Sequence, residues 1–493
     1  MAQRVCKSFR VLIGLEIHVE LSTASKMFTG VANGATNFGA APNTLVDPVV
    51  LGLPGVLPVM NKKAVEYSLK VGMALGCEIS RHTKWDRKSY YYPDLPKNYQ
   101  ISQYDLPLCG PGEFKLPMDD GTLHTIRIRR AHLEEDAGKL MHEAPGGYTI
   151  DHSIVDLNRA GTPLLEIVTE PDLTTGAQVA AFGQELQKIV RYLGVSEGQM
   201  QMGHMRFEPN INVHITDQDG VVHKTAITEI KNLNSFMALE RASEYEIRRQ
   251  IRQWEETGAL GKKSTYGWDA DREVTLHQRD KEEANDYRYF PDPDLVPLEV
   301  DDAWLAQIKA SIGELPAERR KRYVDTLGLS AVDAAIIADD RPAAELFEGI
   351  LSHGADPRRA CNLLLSHGKR LANEKGIGVG ELGIKPQRLA EVAQLMDQNK
   401  IAAGSAGAIL EKLIEADASA EKVAGDLGLM QVSDTGVIDA AIDGLIAQNP
   451  RSLQDYKAGK QQALGSLVGM IMKSGKGLNP KMVQERLKTK LSS

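Results

Sequence analysis

The sequence contains few cysteines, and their spacing forms no pair that binds a metal or closes a small loop. Four occur among 493 residues, at Cys6, Cys77, Cys109 and Cys361. Neither a disulfide framework nor a structural zinc knuckle is indicated, because both need closely spaced pairs or a dense cysteine pattern. A reducing cytoplasm is therefore the expected location.

Long apolar runs and a strong charge of one sign are also missing. No stretch approaches the roughly eighteen apolar residues of a membrane-spanning helix. The composition, 42% hydrophobic and 25% charged, is that of an ordinary globular chain. A formal net charge of −8 argues against a protein coated in nucleic acid but leaves a local basic patch open. This length predicts roughly two to four domains.

The common nucleotide-binding loops and two common nucleophile motifs are absent as well. The nearest approach to a Walker loop, TGALGKKST at Thr257–Thr265, has Lys263 where Ser or Thr is needed. GIGVGE at Gly376–Glu381 does not match G-x-G-x-x-G. No Gly-Ser-Ser-Gly amidase loop occurs, and no cysteine lies in a Gly-x-Cys-x-Gly setting. Any nucleotide site is therefore of an uncommon type, and neither of these two nucleophile settings is present.

Secondary-structure signals divide the chain near Pro297. Before it, alternating runs such as Leu123–Ile128 and Ile211–Ile215 predict strands, while helices are predicted from Asn61 to Leu75 and over Val179–Leu193. After it, strands give way to capped helices. These begin at Ser330, at Asp356-Pro357 with an end at Gly368, and at Pro386 beyond a glycine-rich hinge.

The segment GLEIHVEL at Gly14–Leu21 alternates without a slip. As a strand it presents Glu16, His18 and Glu20 on one face and apolar residues on the other. An ordinary solvated strand face is one interpretation. A row of metal ligands or proton carriers is the other.

Two further acidic segments stand out. Glu134-Glu135-Asp136 is either a solvated turn or part of a site. Glu166 lies inside the apolar strand TPLLEIV, where an unpaired carboxylate would cost several kcal/mol. Either a paired arginine or a functional site explains it. If these carboxylates converge, their oxygen ligands suit Mg²⁺ and phosphoryl transfer better than zinc hydrolysis.

A series of long motifs then identifies a resemblance. In order they are IGLEIHVEL, SKMFTG, PGVLPVMNKKAVEYSLKVGMAL, YYYPDLPKNYQISQYD, HLEEDAGK, DLNRAGTPLLEIVTEPD, EIKNLNSF, NDYRYFPDPDLVP and, near the end, DYKAGKQQALGSLVGMIMKSGKGLNPKMVQERL. They resemble the B subunits of the aspartyl/glutamyl-tRNA(Asn/Gln) amidotransferases, the GatB family, over nearly the whole chain.

The resemblance implies an α+β architecture in three parts. A strand-rich, kinase-like catalytic (cradle) domain with an antiparallel sheet occupies residues 1–297. An all-α helical domain covers 298–384, and an all-α YqeY-like tail covers 385–493.

The resemblance also implies an activity, that of a glutamine-dependent carbon–nitrogen ligase. The family uses ATP and Mg²⁺ to phosphorylate the side-chain carboxylate of Glu-tRNA(Gln) or Asp-tRNA(Asn), and ammonia then forms the amide. The implied partners are the tRNA, the amidase GatA, which frees ammonia from glutamine, and the small protein GatC, in a heterotrimer. The resemblance implies no membrane partner. Two other classes stay open: a self-sufficient ligase that uses free ammonia, and a tRNA-binding scaffold without catalysis.

Carried over residue by residue, the family's site falls on a small set of side chains. The implied catalytic residues are Glu16, His18 and Glu135. Arg206 and Lys231 are the implied contacts to phosphates or the tRNA end. The implied metal ligands are Glu16, His18, Glu134, Glu135, Glu166 and Glu229. Phe207-Glu208-Pro209 departs from the Cys-Asp-Ala of many relatives, and tyrosines 90–92, 287 and 289 are either core residues or a stacking surface for adenine.

The end of the chain is basic although the whole is acidic. From Ile446 to Ser493 the sequence contains nine lysines and arginines but only two acidic residues, Asp455 and Glu485. The alternatives are a solvated face and a surface that contacts tRNA phosphates. The nine are Arg451, Lys457, Lys460, Lys473, Lys476, Lys481, Arg486, Lys488 and Lys490.

Overall fold

The computed structural model describes residues 4–118, 120–144, 147–280, 284–431, 435–449, 462–474 and 477–492. Tail residues Arg451, Lys457, Lys460 and Lys476 lie outside these ranges. The chain divides into two compact units, Met1–Leu315 and Pro316–Ser493. Among the described helices, none combines the length and apolar character needed to cross a membrane.

The first unit is rich in strands. Its described strands are β1 (Ser8–Glu20), β2 (Cys77–Ile79), β3 (His82–Thr83), β4 (Asp86–Ser89), β5 (Tyr99–Ser102), β6 (Cys109–Pro117), β7 (Leu123–Glu135), β8 (Lys139–Ala144), β9 (Tyr148–Asp156), β10 (Pro163–Thr169), β11 (Met205–Thr216), β12 (Val222–Lys224), β13 (Thr228–Lys231), β14 (Ser264–Asp269), β15 (Val274–Asp280), β16 (Phe290–Pro291) and β17 (Leu298–Glu299). Its α-helices are α1 (Lys62–Ala74), α2 (Gly176–Tyr192), α3 (Phe236–Thr257) and α4 (Asp302–Ile312).

One large sheet organises this unit, and β1 lies near its centre. The strand order is β15-β14-β13-β11-β1-β10-β7-β6-β2, with β12 paired to β11. Every pair is antiparallel except β13 with β14, which is parallel. Three small sheets, β16-β4-β5, β17-β3 and the hairpin β8-β9, accompany it.

The two faces of the large sheet differ in chemistry because β1 alternates. Leu15, Ile17 and Val19 are at most 1% exposed and join the main hydrophobic core. Helices α2 and α3 pack against each other and against β11. Their N-caps, Thr175 and Ser235, each accept an amide hydrogen bond from the first helical turn. The other face carries Glu16, His18 and Glu20.

The second unit is helical. Its described α-helices are α5 (Pro316–Asp325), α6 (Ala331–Ala338), α7 (Arg341–Ser352), α8 (Pro357–Asn362), α9 (Lys369–Lys375), α10 (Pro386–Asp397), α11 (Ala406–Glu415), α12 (Ala420–Asp426), α13 (Thr435–Gln448), α14 (Gln462–Ser474) and α15 (Pro480–Ser492). A π-helical turn, Leu363–Gly368, joins α8 to α9. One cluster of buried residues spans Tyr323–Ala424, and a separate one spans Ile438–Leu491.

The predicted α+β class is confirmed, with differences in detail. Helices begin at the predicted caps Asn61 and Ser330. The helix predicted to end at Gly368 continues through the π turn to Lys375, because Gly368 keeps helical backbone angles and the left-handed residue is Gly376. A short strand, β17, follows Pro297, since its two residues pair with β3. The predicted domain limits at 297 and 384 stay predictions.

Candidate functional site

Cross-strand register brings polar residues of four strands to the outer face of β1. His18 lies directly opposite Glu166 of β10 on one side and Arg206 of β11 on the other. Glu166 in turn lies opposite His132 of β7. Opposed residues of antiparallel strands share a face, so this row crosses the middle of the sheet. Two residues before His18 on β1, Glu16 lies opposite Glu208 of β11.

The first group of ligand atoms centres on Glu166. Its Oε2 lies 3.4 Å from His132 Nε2 and 3.7 Å from His18 Nε2. His18 Nε2 is also 4.0 Å from carboxylate oxygens of both Glu16 and Glu134. Ligand atoms within 4.8 Å of one another are found in two sets here, Glu16 with His18 and Glu166, and His132 with Glu134 and Glu166.

Among the described residues, imidazoles and not an arginine accompany Glu166. Burial alone would raise its pKa, but the two histidines hold the pKa well below its usual range. Burial opposes a charge on His18, yet the Glu166 carboxylate raises its pKa to about 9. Burial lowers the pKa of His132 to about 4, so His18 is the charged partner near neutral pH. The interpretation that a paired arginine explains Glu166 is wrong.

A second group of carboxylates shares Glu16 with the first. Oxygens of Glu16, Glu208 and Glu229 lie within 4.8 Å of one another. Lys231 Nζ is 2.7 Å from Glu208 Oε2 and 3.9 Å from Glu229 Oε2. Thr265 donates a 2.8 Å hydrogen bond to Glu229 Oε2. Glu16 therefore stands between two sets of potential ligands.

The donor set fits a hard divalent cation. Carboxylate oxygens dominate both groups, and cysteine contributes to neither; Mg²⁺ and Mn²⁺ prefer such ligands. The buried Nδ1 atoms of His18 and His132 have no hydrogen-bond partner among the described residues. Because a buried polar atom without a partner is costly, the two imidazoles fit a site that gains ligands or water in its working state.

Glu135 is not brought together with Glu16. Successive side chains of β7 alternate between the faces of the sheet, so Glu135 lies on the face opposite His132 and Glu134. Its carboxylate pairs with Lys97 and accepts a 3.0 Å hydrogen bond from the Ile101 amide. It belongs to neither group of clustered ligand atoms among the described residues.

The acidic triplet is not a solvated turn. Glu134, Glu135 and Asp136 are only 3%, 4% and 7% exposed. Asp136 Oδ2 lies 2.6 Å from Arg206 Nη2 and 3.6 Å from Arg159 Nε. Two arginines therefore compensate the buried charge of Asp136, and one of them is the predicted phosphate contact.

Arg206 and Lys231, the two implied phosphate contacts, line the same cavity of about 760 Å³. Glu20, Arg159 and Glu208 also line it. Burial alone would lower the pKa of Lys231, but Glu208 and Glu229 raise it. The cavity therefore joins fixed positive charge to the second carboxylate group, an arrangement suited to a polyanion with bound cations.

Two of the tyrosines contact Lys88, whose charge interacts with Glu134 and Glu166 of the first group. Lys88 Nζ is 5.0 Å from the ring centre of Tyr287 and 6.0 Å from that of Tyr90. Tyr289 stacks on Tyr104 with ring centres 4.2 Å apart. Burial alone would lower the pKa of Lys88, but Glu134 and other neighbours raise it. Tyr91 and Tyr92 are exposed, so they are not core residues.

Sequence reasoning assigned no role to several members of the site. In the sequence Glu208 stands out only as a departure from relatives, and the pairing of β11 with β1 reveals its place beside Glu16. His132, Lys88 and Asp136 also depend on strand pairing or on the approach of a second sheet. One local signal was available, since His132 precedes Glu134 by two residues and therefore shares its strand face.

The comparisons with known proteins agree with the resemblance. Residues 11–306 match the model of the GatB/GatE catalytic domain, and residues 345–491 match that of a GatB domain. The chain is 44% identical to the B subunit of the aspartyl/glutamyl-tRNA(Asn/Gln) amidotransferase of Carboxydothermus hydrogenoformans, with 99% of each chain covered. It is also 44% identical to proteins of that name from Moorella thermoacetica, covering 98% of this chain and 100% of the relative, and from Synechococcus elongatus, covering 98% of each.

Proposed function

This chain belongs to the GatB family of aspartyl/glutamyl-tRNA(Asn/Gln) amidotransferase B subunits, and from that premise we propose that it activates the side-chain carboxylate of a misacylated tRNA with ATP. The substrates are Glu-tRNA(Gln), Asp-tRNA(Asn) or both, and the product is the amide. One observation carries the proposal: Glu16 is shared by two groups of ligand atoms, and two residues at the second group, Glu208 and Lys231, line a cavity with Arg206.

The chemistry requires activation because hydroxide leaves a carboxylate poorly. A carboxylate oxygen of the substrate attacks the γ-phosphorus of ATP, and ADP leaves. Ammonia then attacks the acyl carbon of the resulting acyl phosphate, and inorganic phosphate leaves with the C–O bond electrons. Positioning and charge stabilisation account for most catalysis of phosphoryl transfer.

The side chains divide these tasks. Glu16, His18 and Glu166 would hold one divalent cation, with Glu134 and His132 beside them, and Glu16, Glu208 and Glu229 would hold a second. When bound, Mg²⁺ neutralises charge on the nucleotide phosphates. Arg206, fixed by Asp136, and Lys231, fixed by Glu208, orient phosphate oxygens. We assign Glu135 to the buried ion pair with Lys97 and not to metal binding.

The partners follow from what the chain lacks. It has no recognisable amidase loop, so ammonia must come from another polypeptide. We propose the amidase GatA as that source and the small protein GatC as the component that joins the two in a heterotrimer. Because an acyl phosphate hydrolyses readily, the two sites need a route protected from water.

The decisive experiment is amidation by the reconstituted complex with ATP, glutamine and each misacylated tRNA. We expect Glu16→Gln to abolish tRNA-dependent ATP hydrolysis, while the exposed control Glu113→Gln retains it. Added ammonium should restore amidation when GatA is inactive. Full activity of Glu16→Gln would contradict the site. Amidation by this chain alone with ammonium would support a self-sufficient ligase, and tRNA binding without ATP hydrolysis would support a scaffold.

A further inference from the structure

The cavity of about 760 Å³ also contains an apolar surface, which the phosphoryl transfer proposed above does not use. Phe38 and Met202 both line the cavity, and their exposed fractions are 52% and 48%. The Phe38 ring packs against His204, with ring centres 4.9 Å apart. Two large apolar side chains left half exposed in a cavity that also holds arginine and lysine suit a ligand with both a flat apolar part and negative charge.

The loop that carries Phe38 is held on both sides of this residue. The side-chain amide of Asn37 donates a 2.7 Å hydrogen bond to Asn33 O. At the other end of the loop, the backbone amide of Leu45 donates a 2.9 Å hydrogen bond to Asn158 Oδ1. A side chain that is fixed before binding loses less entropy when a ligand arrives. The anchored loop therefore suits a preformed binding surface.

Two cations line the same cavity and belong to neither group of ligand atoms. Lys139 is exposed, and its ammonium group has no hydrogen-bond or ion-pair partner in the described part of the chain. Arg159 donates hydrogen bonds of 3.0 Å to Ala137 O and 2.5 Å to Gly138 O, which places its guanidinium beside the start of β8, where Lys139 stands. Its side chain is 34% exposed, and its Nε lies 3.6 Å from Asp136 Oδ2. Both cations are therefore open to a negatively charged ligand.

An unpaired RNA strand combines the two kinds of group that this surface would recognise. Single-stranded RNA is bound by aromatic side chains that stack on its bases and by cations that follow its phosphates. ATP carries its phosphates together and presents them to metal ions, whereas RNA carries one phosphate per nucleotide and suits separate cations such as Lys139. A tRNA ends in an unpaired strand whose last nucleotide is adenosine. That end therefore matches this surface better than ATP does.

We propose that the terminal adenosine of the tRNA stacks on Phe38 beside Met202. Lys139 and Arg159 contact the phosphates that precede this adenosine. The inference rests on the function proposed above, because the substrate carboxylate is attached to the terminal adenosine and must reach the transferred phosphoryl group. Glu208 of the second carboxylate group lines the same cavity, so a base on Phe38 leaves the attached amino acid in the space that this carboxylate borders.

A fluorescent tRNA tests the stacking without any chemical step. 2-Aminopurine replaces the terminal adenine of the tRNA, and its fluorescence falls when it stacks on an aromatic ring. We expect the reconstituted complex to quench this fluorescence. Phe38→Ala should remove the quenching and raise the Kd about fivefold or more, whereas Phe38→Tyr should retain both the quenching and the affinity.

The matched control for this experiment is Phe9→Ala. Phe9 is 54% exposed and is not among the residues that line this cavity, so the variant should quench and bind as the wild type does. No quenching by the wild type, or equal quenching by the wild type and Phe38→Ala, would overturn the proposal.

The salt dependence of tRNA binding tests the cations. Lys139→Gln should lower the slope of log K against log salt by about 0.7, which is the value for one phosphate contact of a single strand. Lys263→Gln removes the same charge from an exposed position elsewhere and should leave the slope unchanged. An unchanged slope with Lys139→Gln would overturn the assignment of the phosphates.

Amidation kinetics distinguish the adenosine of tRNA from that of ATP. Phe38→Ala should raise the KM for the misacylated tRNA and leave the KM for ATP unchanged. A raised KM for ATP with unchanged tRNA affinity would place the adenine of ATP on Phe38 and overturn the proposal. Absence of amidation by the wild-type complex would contradict the proposed function instead, and the quenching of 2-aminopurine would still report on the adenosine site.

Discussion

Glu166 lies directly opposite His18 across β10 and β1, with its Oε2 3.7 Å from His18 Nε2. This contact joins a carboxylate within an apolar strand to the histidine at the centre of the polar face. We predict that Glu166→Gln lowers the affinity for Mn²⁺ at least about a hundredfold. The change removes a charged ligand and also the charged contact that orients the His18 imidazole. Titration calorimetry with Mn²⁺ measures this, with Glu113→Gln as control. Unchanged affinity would remove Glu166 from the ligand set.

The sharing of Glu16 predicts two cation positions that separate by mutation. We expect two Mn²⁺ ions per chain in the presence of a nonhydrolysable ATP analogue. Glu229→Gln should remove one ion and Glu166→Gln the other. Glu16→Gln should weaken both, since its carboxylate alone belongs to both groups among the described residues. Electron paramagnetic resonance counts the free Mn²⁺. A loss of the same single ion in all three variants would show that only one position exists.

Local sequence patterns predict the strands that carry the site better than they predict which residues form it. Alternation in GLEIHVEL placed Glu16 and His18 on one face, and an isolated carboxylate in TPLLEIV marked Glu166, because both signals lie within one strand. Glu208 joined the site only through the register of β11 with β1. Which strands pair depends on contacts between residues far apart in sequence, so short-range periodicity does not specify it.

The buried pair of Glu135 and Lys97 predicts a loss of stability when one partner is removed. Their side chains are 6% and 10% exposed, so either single change leaves an uncompensated buried charge. We expect Glu135→Gln and Lys97→Met each to lower the free energy of unfolding by roughly 3–5 kcal/mol. The double variant should lose less than the sum of the two. Urea unfolding followed by tryptophan fluorescence measures this, because the four tryptophans lie in the first unit.

Two outcomes decide the role of Glu135. A Glu135→Gln variant that stays folded, binds Mn²⁺ normally and hydrolyses ATP slowly would indicate a positioning residue. Loss of Mn²⁺ binding without loss of stability would return Glu135 to the metal ligands that the family resemblance implies.

Lys26 predicts a pH dependence of stability. Its ammonium group is buried and donates a 2.6 Å hydrogen bond to Leu45 O and one of 3.3 Å to Leu157 O. Burial lowers its pKa from 10.5 to about 8. Between those values the unfolded chain binds more protons than the folded chain, so the free energy of unfolding rises with pH in that window. Below pH 8 both states are protonated and this contribution is constant.

The measurement compares the wild type with Lys26→Met. From about pH 8 to pH 10.5 the wild type should gain roughly 2–4 kcal/mol relative to the variant. The difference between the two isolates Lys26 from other groups that titrate there. A constant difference across the window would show that Lys26 keeps its ordinary pKa when folded.

The basic tail predicts a salt-dependent contribution to tRNA binding. Of the five basic tail residues that the structure describes, Arg486 is paired with Asp439, and Lys490 Nζ lies 2.6 Å from Asp443. Lys473, Lys481 and Lys488 are exposed. If these lysines meet phosphates, each lost contact should reduce the slope of log K against log salt by about one unit. We expect Lys473→Gln with Lys481→Gln to weaken tRNA binding and flatten this slope.

The arrangement of buried clusters selects the truncation that completes this test. A cut after Ile384 would divide the cluster that spans Tyr323–Ala424, whereas a cut after Gln431 removes only the separate cluster of Ile438–Leu491. The cut after Gln431 should weaken tRNA binding and lower the salt slope more than the two lysine changes do. The partner's glutaminase activity without tRNA should stay nearly constant. The control Arg486→Gln breaks a pair within the tail and should affect stability more than the slope. An unchanged affinity and slope after truncation would show the tail to be structural, and would assign tRNA binding to the first unit and the helices before Gln431.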